Sequence, residues 1–432
     1  MLFPGVEENP AGRPQKPVQT WVPILIVLVL LSGLVTWLEC RPRERDRLTP
    51  QMAGARDTLI RVRLLSNVER FRIQITNELS LRDVGSGYTV SLKDLAHLHH
   101  IDIGLIQGRL TLAGHPIDVD HLEIHFGPPG IFSMEGERFR GQLEVIVDGA
   151  GTSFDVINHL PLEPYLAGVV GAEMPSYWEP EALKAQAIAS RTYCLYIKER
   201  FGRHRPWDVS RSQAHQVYRG VAAESAAVWD AVRATQGQVL VTEGQDGAPI
   251  VLPAYYSSIC GGHTEDSNQV FGEASVVLRG VDCWSCEDVA KATQFNWPVV
   301  TYSKQEVSQR LLARYPALCE LGAVQEIVTT RQSEYDQFSR ITQVRLVGQD
   351  GRSSVLRGED MRLAIDPSGR RIKSTGCRLE DRGEHWAFVQ GRGWGHAVGM
   401  CQCGAQGLAR AGLSVQDILV HYYPGARIGR RP

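Results

Sequence analysis

The sequence has no excess of charge of either sign. Its 432 residues include 46 Lys and Arg against 48 Asp and Glu, a formal net charge of −2 at pH 7. Nucleic-acid-binding proteins carry clustered positive charge, so this balance gives no sign of nucleic-acid binding. The sequence also lacks a Walker or Rossmann phosphate-binding fingerprint and a repeat of fixed period. These absences argue against a nucleotide-binding enzyme and against a repeat protein.

The composition is that of a globular protein with a sizeable core. The chain is 43% hydrophobic and 22% charged, and its length suits one large domain or two to three ordinary ones. From Leu59 onward, stretches such as LIRVRLL and FRIQIT alternate with a period of two residues, which predicts strands. We therefore expect a β-rich part at 58–160, followed by a helix-containing part at 161–430. The predicted fold class is α+β, mixed and β-rich, with a central buried helix and one transmembrane helix before it.

The N-terminal region contains one long uncharged run. Residues 1–20 are polar and Pro-rich, which predicts disorder, and residues 21–38 are 18 uncharged residues, enough for a short membrane span. The alternatives are a cleaved signal peptide or a buried core helix. No small-residue cleavage site follows the run, and Glu39 before Cys40 does not suit a lipoprotein signal. We expect an uncleaved signal anchor, with 39–57 as a charged linker.

One carboxylate, Glu173, lies between an apolar run and the start of a predicted helix. Pro175 disfavours a helical conformation at Met174, so the chain should be extended there. Pro180 is tolerated in the first turn of a helix, and the acidic residue after it suits the positive helix end. No Gly or Pro interrupts the next stretch, which predicts a helix from Glu181 to about Lys198.

The predicted helix is apolar on more than one side and should therefore be buried. Lys184 and Arg191 are two turns apart on one side of it, and two cations on a buried helix need a partner or a wet cleft. Glu173 is a candidate to share that cleft. The alternative is that Glu173 pairs with one of these cations and only holds the loop.

Two closely spaced pairs of residues suggest a metal site. Cys260-Gly-Gly-His263 and Cys283-Trp-Ser-Cys286 both have two intervening residues, a zinc-finger-like spacing. Cys260, His263, Cys283 and Cys286 would complete a closed, structural zinc site. The alternatives are a disulfide, which an extracytoplasmic location permits, and unrelated thiols. Nine cysteines cannot all pair with one another, so at least one is free or bound to metal.

Three ordered stretches carry a family resemblance. They are YLAGVVGAEMPSYWEPEALKAQAIASRTYCL, AYYSSICGGHTEDS and GRGWGHAVGMCQCGAQGLARAGLSVQDILVHYYPGARI, at 165–195, 254–267 and 391–428. They resemble the SpoIID/LytB family, named for stage II sporulation protein D and an amidase enhancer. The resemblance covers about 58–430, with 161–430 as the catalytic core.

The resemblance implies a peptidoglycan lytic transglycosylase whose single catalytic acid is Glu173. One acid suffices because the sugar's own hydroxyl, and not a second carboxylate, completes the reaction. The family's enzyme prefers glycan strands stripped of their peptides. We expect the glycan to be contacted by polar residues that follow or flank the acid: Lys184, Gln186, Arg191, Ser212, Gln213, Tyr218, Ser257, Ser258 and His396. The alternatives are a non-catalytic enhancer of a cell-wall amidase and a wall-binding protein.

The resemblance also bears on location and on the cysteines. Four arginines at 41–47 follow the uncharged run and favour a cytoplasmic C-terminal side, whereas the family's substrate lies outside the membrane. We expect a single-pass membrane protein with an extracytoplasmic main domain. The family commonly has Ser and Tyr where this chain has Cys401 and Cys403. This pair next to His396 could bind metal, react, or fill buried space.

Overall fold

The structure is a computed structural model that describes residues 58–74, 78–90, 99–244 and 247–430. The predicted disordered N-terminus, signal anchor and linker at 1–57 lie outside the described residues. Among the described residues, no helix is both long enough and apolar enough to span a membrane. The described part is strand-rich with helices, in agreement with the predicted mixed α+β class.

Alternating side chains build the strands before the central helix. Along the first strand, Ile60, Val62 and Leu64 are buried and the residues between them are more exposed, because successive side chains point to opposite faces. The strands of the described part are β1 (Leu59–Val68), β2 (Arg70–Gln74), β3 (Leu79–Asp83), β4 (Thr89–Val90), β5 (His100–Ile106), β6 (Arg109–Leu112), β7 (His115–Pro116), β8 (His121–Phe126), β9 (Ile131–Met134), β10 (Glu137–Arg140), β11 (Gln142–Val147), β12 (Phe154–Pro161), β13 (Val209–Ser210), β14 (Gln238–Glu243), β15 (Pro249–Val251), β16 (Tyr256–Ser257), β17 (Asn296–Trp297), β18 (Val300–Ser303), β19 (Val324–Tyr335), β20 (Phe338–Gly348), β21 (Ser353–Arg357), β22 (Arg378–Arg382), β23 (His385–Val389), β24 (Gly391–Arg392), β25 (Met400–Cys401) and β26 (Arg427–Arg430).

The helices lie mainly after β12. The predicted central helix is confirmed as a helix that begins with Pro180 in its first turn and includes Glu181. The α-helices of the described part are α1 (Leu162–Glu173), α2 (Pro180–Phe201), α3 (Ala226–Ala234), α4 (Ser267–Phe271), α5 (Ala292–Phe295), α6 (Lys304–Arg314), α7 (Gly358–Ile365), α8 (Gln402–Arg410) and α9 (Val415–Tyr422), with 3-10 helices at Gly220–Ala223 and Pro316–Leu321.

The β-rich part and the helical part share one hydrophobic core. Two sheets, β13-β1-β12-β11-β8-β3-β4 and β10-β9-β2-β5-β6-β7, contribute side chains such as Val62 and Phe139. Leu166 of α1, Ile188 of α2 and Leu408 of α8 lie in the same core. Helix α2 is thus buried, as its lack of a single apolar face predicts.

A second hydrophobic core lies within residues 297–389. It joins the sheets β18-β23-β22 and β19-β20-β21 to helices α6 and α7, with Val307, Val344 and Phe388 fully buried. Helix α6 and the long hairpin of β19 and β20 lie in this core. Residues 366–377 form turns and irregular structure before β22.

Candidate functional site: a buried carboxylate and a thiol cluster

Glu173 is the last residue of α1, at the point where the chain leaves the helix. Met174 is extended, with φ −129° and ψ 143°, as expected of the residue before Pro175. The Glu173 Oε1 accepts a hydrogen bond from the Val217 backbone N–H at 2.8 Å, and Oε2 accepts one from Gln402 Nε2 at 3.3 Å. Tyr256 also lies close enough to the carboxylate to affect its pKa. Three distant segments therefore converge on one side chain.

The surroundings of Glu173 favour its protonated form. Burial is the largest influence and raises the pKa of Glu173 above its usual value. The hydrogen bonds from Val217 and Gln402 and the nearby Tyr256 hydroxyl lower the pKa, and the charge of Arg219 lowers it by a smaller amount. The residue nevertheless keeps some exposure to solvent. A carboxylic acid that is largely desolvated but still accessible is suited to donate a proton to a ligand.

Both cations predicted to share the cleft have other partners. Arg191 is 1% exposed and forms a two-point ion pair with Glu163, at 2.9 Å from Nε and 2.6 Å from Nη2. Lys184 donates to Glu181 at 2.6 Å, one turn back on α2. The prediction that Arg191 contacts substrate is therefore corrected, because its guanidinium is enclosed in the core. The alternative in which Glu173 pairs with one of these cations is also wrong.

A network of neutral side chains lies behind the carboxylate. Gln402 Nε2 also donates to Gln186 Oε1 at 3.3 Å, and Gln186 Nε2 donates to the Ser190 hydroxyl at 2.8 Å. Gln216 Nε2 donates to the Tyr256 hydroxyl oxygen at 2.9 Å. Gln186 is fully buried, so it supports the site from within and does not line a groove, which corrects its predicted role as a substrate contact.

The segment after α2 contributes through its backbone. Ser212 and Gln213, both predicted to bind sugar, are exposed. Tyr218 is 1% exposed, and its hydroxyl donates to Asn158 Oδ1 at 3.2 Å. A substrate cannot reach Tyr218, which corrects that prediction. The Val217 N–H is the group of this segment that contacts Glu173.

The remaining predicted contacts lie near β16. Ser257 is 7% exposed, and its hydroxyl has no hydrogen-bond partner within the described residues. Ser258 is partly exposed, and its carbonyl accepts from the Cys403 N–H at 3.1 Å. His396 Nδ1 accepts from the Val398 N–H at 3.0 Å. Burial lowers the pKa of His396 to about 3, so its imidazole is neutral at physiological pH.

Four cysteines from three segments form a buried cluster. The sulfur atoms of Cys260, Cys283, Cys286 and Cys401 lie within 4.8 Å of one another. His263, predicted as the fourth ligand, lies outside this group: its Nδ1 hydrogen-bonds the Thr264 carbonyl at 2.5 Å, and its ring stacks on a tyrosine. Cys401 stands where the histidine was expected, which corrects the predicted ligand set in one position.

The cluster fits a tetrahedral zinc ion. Zinc binds thiolates at about 2.3 Å, which places sulfurs about 3.8 Å apart in a tetrahedron. The Cys260 and Cys286 sulfurs are 3.8 Å apart, far beyond the roughly 2.0 Å of a disulfide bond. Cys401 Sγ accepts from the backbone N–H groups of Cys260 at 3.2 Å and Gly404 at 3.4 Å. Such donors stabilise sulfur ligands that carry negative charge.

A buried cation lies next to the cluster. Four thiolates around one divalent ion carry a net charge of −2. The Arg340 guanidinium is buried and donates to the Cys260 carbonyl at 2.6 Å. Gly404 allows the close packing of the cluster, because a Cβ there would come within 2.4 Å of the Cys283 sulfur. The donor set, its spacing and this positive charge all fit a metal-thiolate centre.

Sequence reasoning missed Val217, Tyr256, Gln402 and the place of Cys401 in the same cluster as Cys260, Cys283 and Cys286. Gln402 and Cys401 lie in the Gly-rich stretch that carries the resemblance. In that stretch, the sequence analysis assigned possible roles only to His396 and to the two unusual cysteines. Tyr256 directly precedes the two serines that were predicted. Val217 could not be predicted, because it contacts Glu173 through its backbone N–H, which every residue except proline has.

The site is thus one desolvated glutamic acid where the segments of Val217, Tyr256 and Gln402 meet. Known proteins that are similar to this chain belong to the family that the sequence motifs resemble. Residues 150–241 match the profile of the Stage II sporulation protein family, SpoIID. This range contains Glu173, α2 and the Val217 segment. This match and the relatives described next support the resemblance to the SpoIID/LytB family.

Named relatives extend the similarity beyond that range. An uncharacterized protein of Brachyspira hyodysenteriae is 29% identical over 377 residues, which are 84% of this chain and 95% of that protein. Stage II sporulation protein D of Bacillus amyloliquefaciens is 29% identical over 64% of this chain and 76% of its own length. The Amidase enhancer of Bacillus subtilis is 28% identical over 68% of this chain and 44% of its own length.

Proposed function

We propose that this chain is a peptidoglycan lytic transglycosylase with Glu173 as its single acid. Similarity to the SpoIID/LytB family supports a cell-wall related function. The transglycosylase activity is inferred from the Glu173 carboxyl. Burial raises its pKa, and it accepts hydrogen bonds from neutral donors. No ion pair of Glu173 occurs among the described residues, so no adjacent cation holds it ionised.

The geometry suits a reaction with one proton carrier. Neutral Glu173 donates its proton to the oxygen that bridges muramic acid and glucosamine, and the bond from that oxygen to the anomeric carbon breaks. The resulting carboxylate takes the proton from the muramic acid's primary hydroxyl, whose oxygen bonds to the anomeric carbon. The products are an anhydro-muramyl end and a free glucosamine hydroxyl. Glu173 returns to its protonated form without water.

Neutral donors hold the carboxylate between the two proton transfers. The Val217 N–H and the Gln402 amide can hydrogen-bond Glu173 in both protonation states, whereas a cation would favour the ionised state and weaken the acid. Ser212 and Gln213 are exposed and Ser258, Lys184 and His396 are partly exposed, so these five remain candidates for contact with the glycan. The Ser257 hydroxyl is buried and lacks a partner in the described part of the chain, so it needs a local rearrangement before it can contact a sugar.

Zinc is proposed as a structural component. Cys260, Cys283, Cys286 and Cys401 would hold it, and four protein ligands leave no position for substrate. Its contribution is to join the segment after β16, the Cys283–Cys286 turn and the start of α8. It plays no part in the proton transfers.

A membrane anchor is also proposed. The uncharged run at 21–38 would hold the described part outside the membrane, where glycan strands lie. Fractionation of cells tests this: the full chain should stay with the membrane through a high-salt wash. Recovery of a soluble mature form that lacks residues 1–50 would contradict the anchor.

The second candidate is a non-catalytic enhancer of a cell-wall amidase, which the Bacillus subtilis relative named Amidase enhancer favours. The two functions differ in one product. Residues 58–432 incubated with peptide-free glycan should release anhydro-muramyl ends, detected by mass spectrometry. Glu173→Gln should reduce release by about 100-fold or more, since general acid catalysis contributes about that much, and should preserve glycan binding. Glu181→Gln, a carboxylate on the surface of α2, is the matched control.

The outcomes separate the candidates. If the unaltered protein forms no anhydro-muramyl ends but stimulates a purified amidase, the enhancer function is correct. If Glu173→Gln turns over at the unaltered rate, Glu173 is structural and the acid lies elsewhere.

A further inference from the structure

The thiol cluster and the Glu173 site are joined through adjacent residues. Cys401 ends β25, caps the N-terminus of α8 and contributes one sulfur to the cluster. Gln402 is the first residue of α8, and its amide donates to Glu173 Oε2 at 3.3 Å. A single peptide bond therefore separates a candidate metal ligand from a donor to the candidate acid.

A second connection runs through the strand that pairs with β25. Strand β16 lies parallel to β25, with Tyr256 opposite Met400 and Ser257 opposite Cys401. Tyr256 lies close to the Glu173 carboxylate, and Cys260 follows four residues later in the cluster. Tyr256 lies on, and Gln402 directly follows, a strand pair that is two residues long. A pair so short has little stability of its own and depends on its surroundings.

We propose that a divalent metal bound by the four thiolates positions Gln402 and Tyr256, and through them Glu173. In this arrangement Gln402 is a positioning residue, and metal loading regulates the acid from a distance. The consequence for cleavage rests on the proposed transglycosylase function, whereas the consequence for the geometry of Glu173 does not.

The physical basis is the position of Cys401. Its sulfur accepts the backbone N–H groups of Cys260 and Gly404, and the second of these bonds caps the first turn of α8. A metal held by four sulfurs from three segments would fix this sulfur, and with it the cap. Gln402 lies in that turn, so its amide should lose its fixed position when the metal is removed.

Hydrogen exchange at the Val217 amide reports this effect directly. The Val217 N–H donates to Glu173 Oε1 at 2.8 Å, so it is protected only while the carboxylate is held in place. We would compare zinc-loaded protein with protein stripped by a chelator under reducing conditions, at a temperature where both are folded by circular dichroism. Exchange at Val217 should rise at least tenfold after stripping and return when zinc is added. Amides of β20 in the second core should not change.

Variants separate positioning from general stability. Gln402→Ala keeps all four sulfurs, so zinc stoichiometry should be unchanged while exchange at Val217 rises and cleavage falls about tenfold. Gln406→Ala is the matched control: its side chain accepts from the Glu179 N–H and not from the Glu173 site. Cys401→Ser should lose zinc and raise hydrogen exchange at the Val217 amide. Cys377→Ser removes a buried thiol of the second core and should change neither the zinc content nor the exchange at Val217.

Each result has one meaning. An unchanged Val217 exchange after zinc removal, or a uniform rise across both cores, overturns the positioning role and leaves the cluster as a stabilising element. A selective rise at Val217 in protein that never cleaves glycan supports the positioning role and rejects the transglycosylase function. Cleavage that persists at the full rate in stripped protein rejects the positioning role alone.

Discussion

Glu173 and Glu359 are two buried carboxylates with opposite surroundings. Glu359 on α7 is 6% exposed and receives two hydrogen bonds from Arg362, at 2.9 Å from Nε and 2.5 Å from Nη2. Burial by itself would raise the pKa of Glu359, but the charge and hydrogen bonds of Arg362 outweigh it and lower the pKa to about 2. Glu173 has neutral donors, and burial raises its pKa.

The difference shows that burial does not by itself decide the charge of a carboxylate. An adjacent cation turns a buried glutamate into a fixed anion that stabilises the fold, and neutral donors keep it able to exchange a proton. The second core thus uses its carboxylate for structure, and the first core leaves one available for chemistry. The predictions below test this contrast, from the largest expected effect to the smallest.

Removal of the cation from the Glu359 pair should have the largest effect. Arg362→Met leaves Glu359 buried without a partner, and the free energy of unfolding should fall by about 3–5 kcal/mol. Urea denaturation at pH 7 measures this. The control is Arg382→Met, whose pair with Glu380 is solvent-exposed and screened, so its loss should be far smaller than that of Arg362→Met. Equal losses in the two variants would show that burial of the pair has no importance.

Addition of a cation beside Glu173 should lower its pKa and make it an ionised carboxylate, as Arg362 does for Glu359. Gln402→Lys should lower the pKa of Glu173 by about 1–3 units and reduce cleavage near neutral pH by about 10- to 1000-fold. The measurement is kcat/KM as a function of pH. The pH range in which kcat/KM falls, the descending limb of the profile, should move to lower pH. Gln402→Met removes the hydrogen bond without adding charge, so its limb should stay in place or move upward. A limb that moves identically in both variants would contradict the electrostatic explanation.

The unaltered protein should show opposite pH dependences for activity and stability. Cleavage needs protonated Glu173, so kcat/KM should fall as pH rises through a pKa above the usual 4.5. Glu359 has a lowered folded-state pKa, so its stabilising contribution is complete above pH 4.5 and is lost as pH falls from 4.5 towards about 2. An activity limb at or below pH 4.5 would show that Glu173 is not the desolvated acid.

The smallest effect is expected for the stability of Glu173→Gln. The amide keeps the hydrogen-bonding shape and removes the need to bury a charge, so the free energy of unfolding should change by less than about 1 kcal/mol, in either direction. Thermal unfolding at pH 7 checks this, with Glu359→Gln as the comparison that should lose more. A large loss in Glu173→Gln would indicate that the carboxylate stabilises the fold.

The sequence by itself determined the local features of this protein. Period-two alternation after Leu59 specified the strands, and Pro175 and Pro180 specified an extended residue followed by a helix. These signals are readable because backbone sterics and periodicity act within a few residues. They also placed Glu173 at the junction between two elements, and the resemblance of its surroundings to a known family named it as the candidate acid.

Only the tertiary structure decided which side chains meet. Arg191 pairs with Glu163, 28 positions away, and Gln402 reaches Glu173 across 229 positions. The fourth sulfur of the cluster comes from Cys401 and not from the nearby His263, because β16 and β25 lie side by side. Residue spacing carries no information about such contacts. They follow from how the strands and helices pack into one core, and this packing left Glu173 without an ion-pair partner among the described residues.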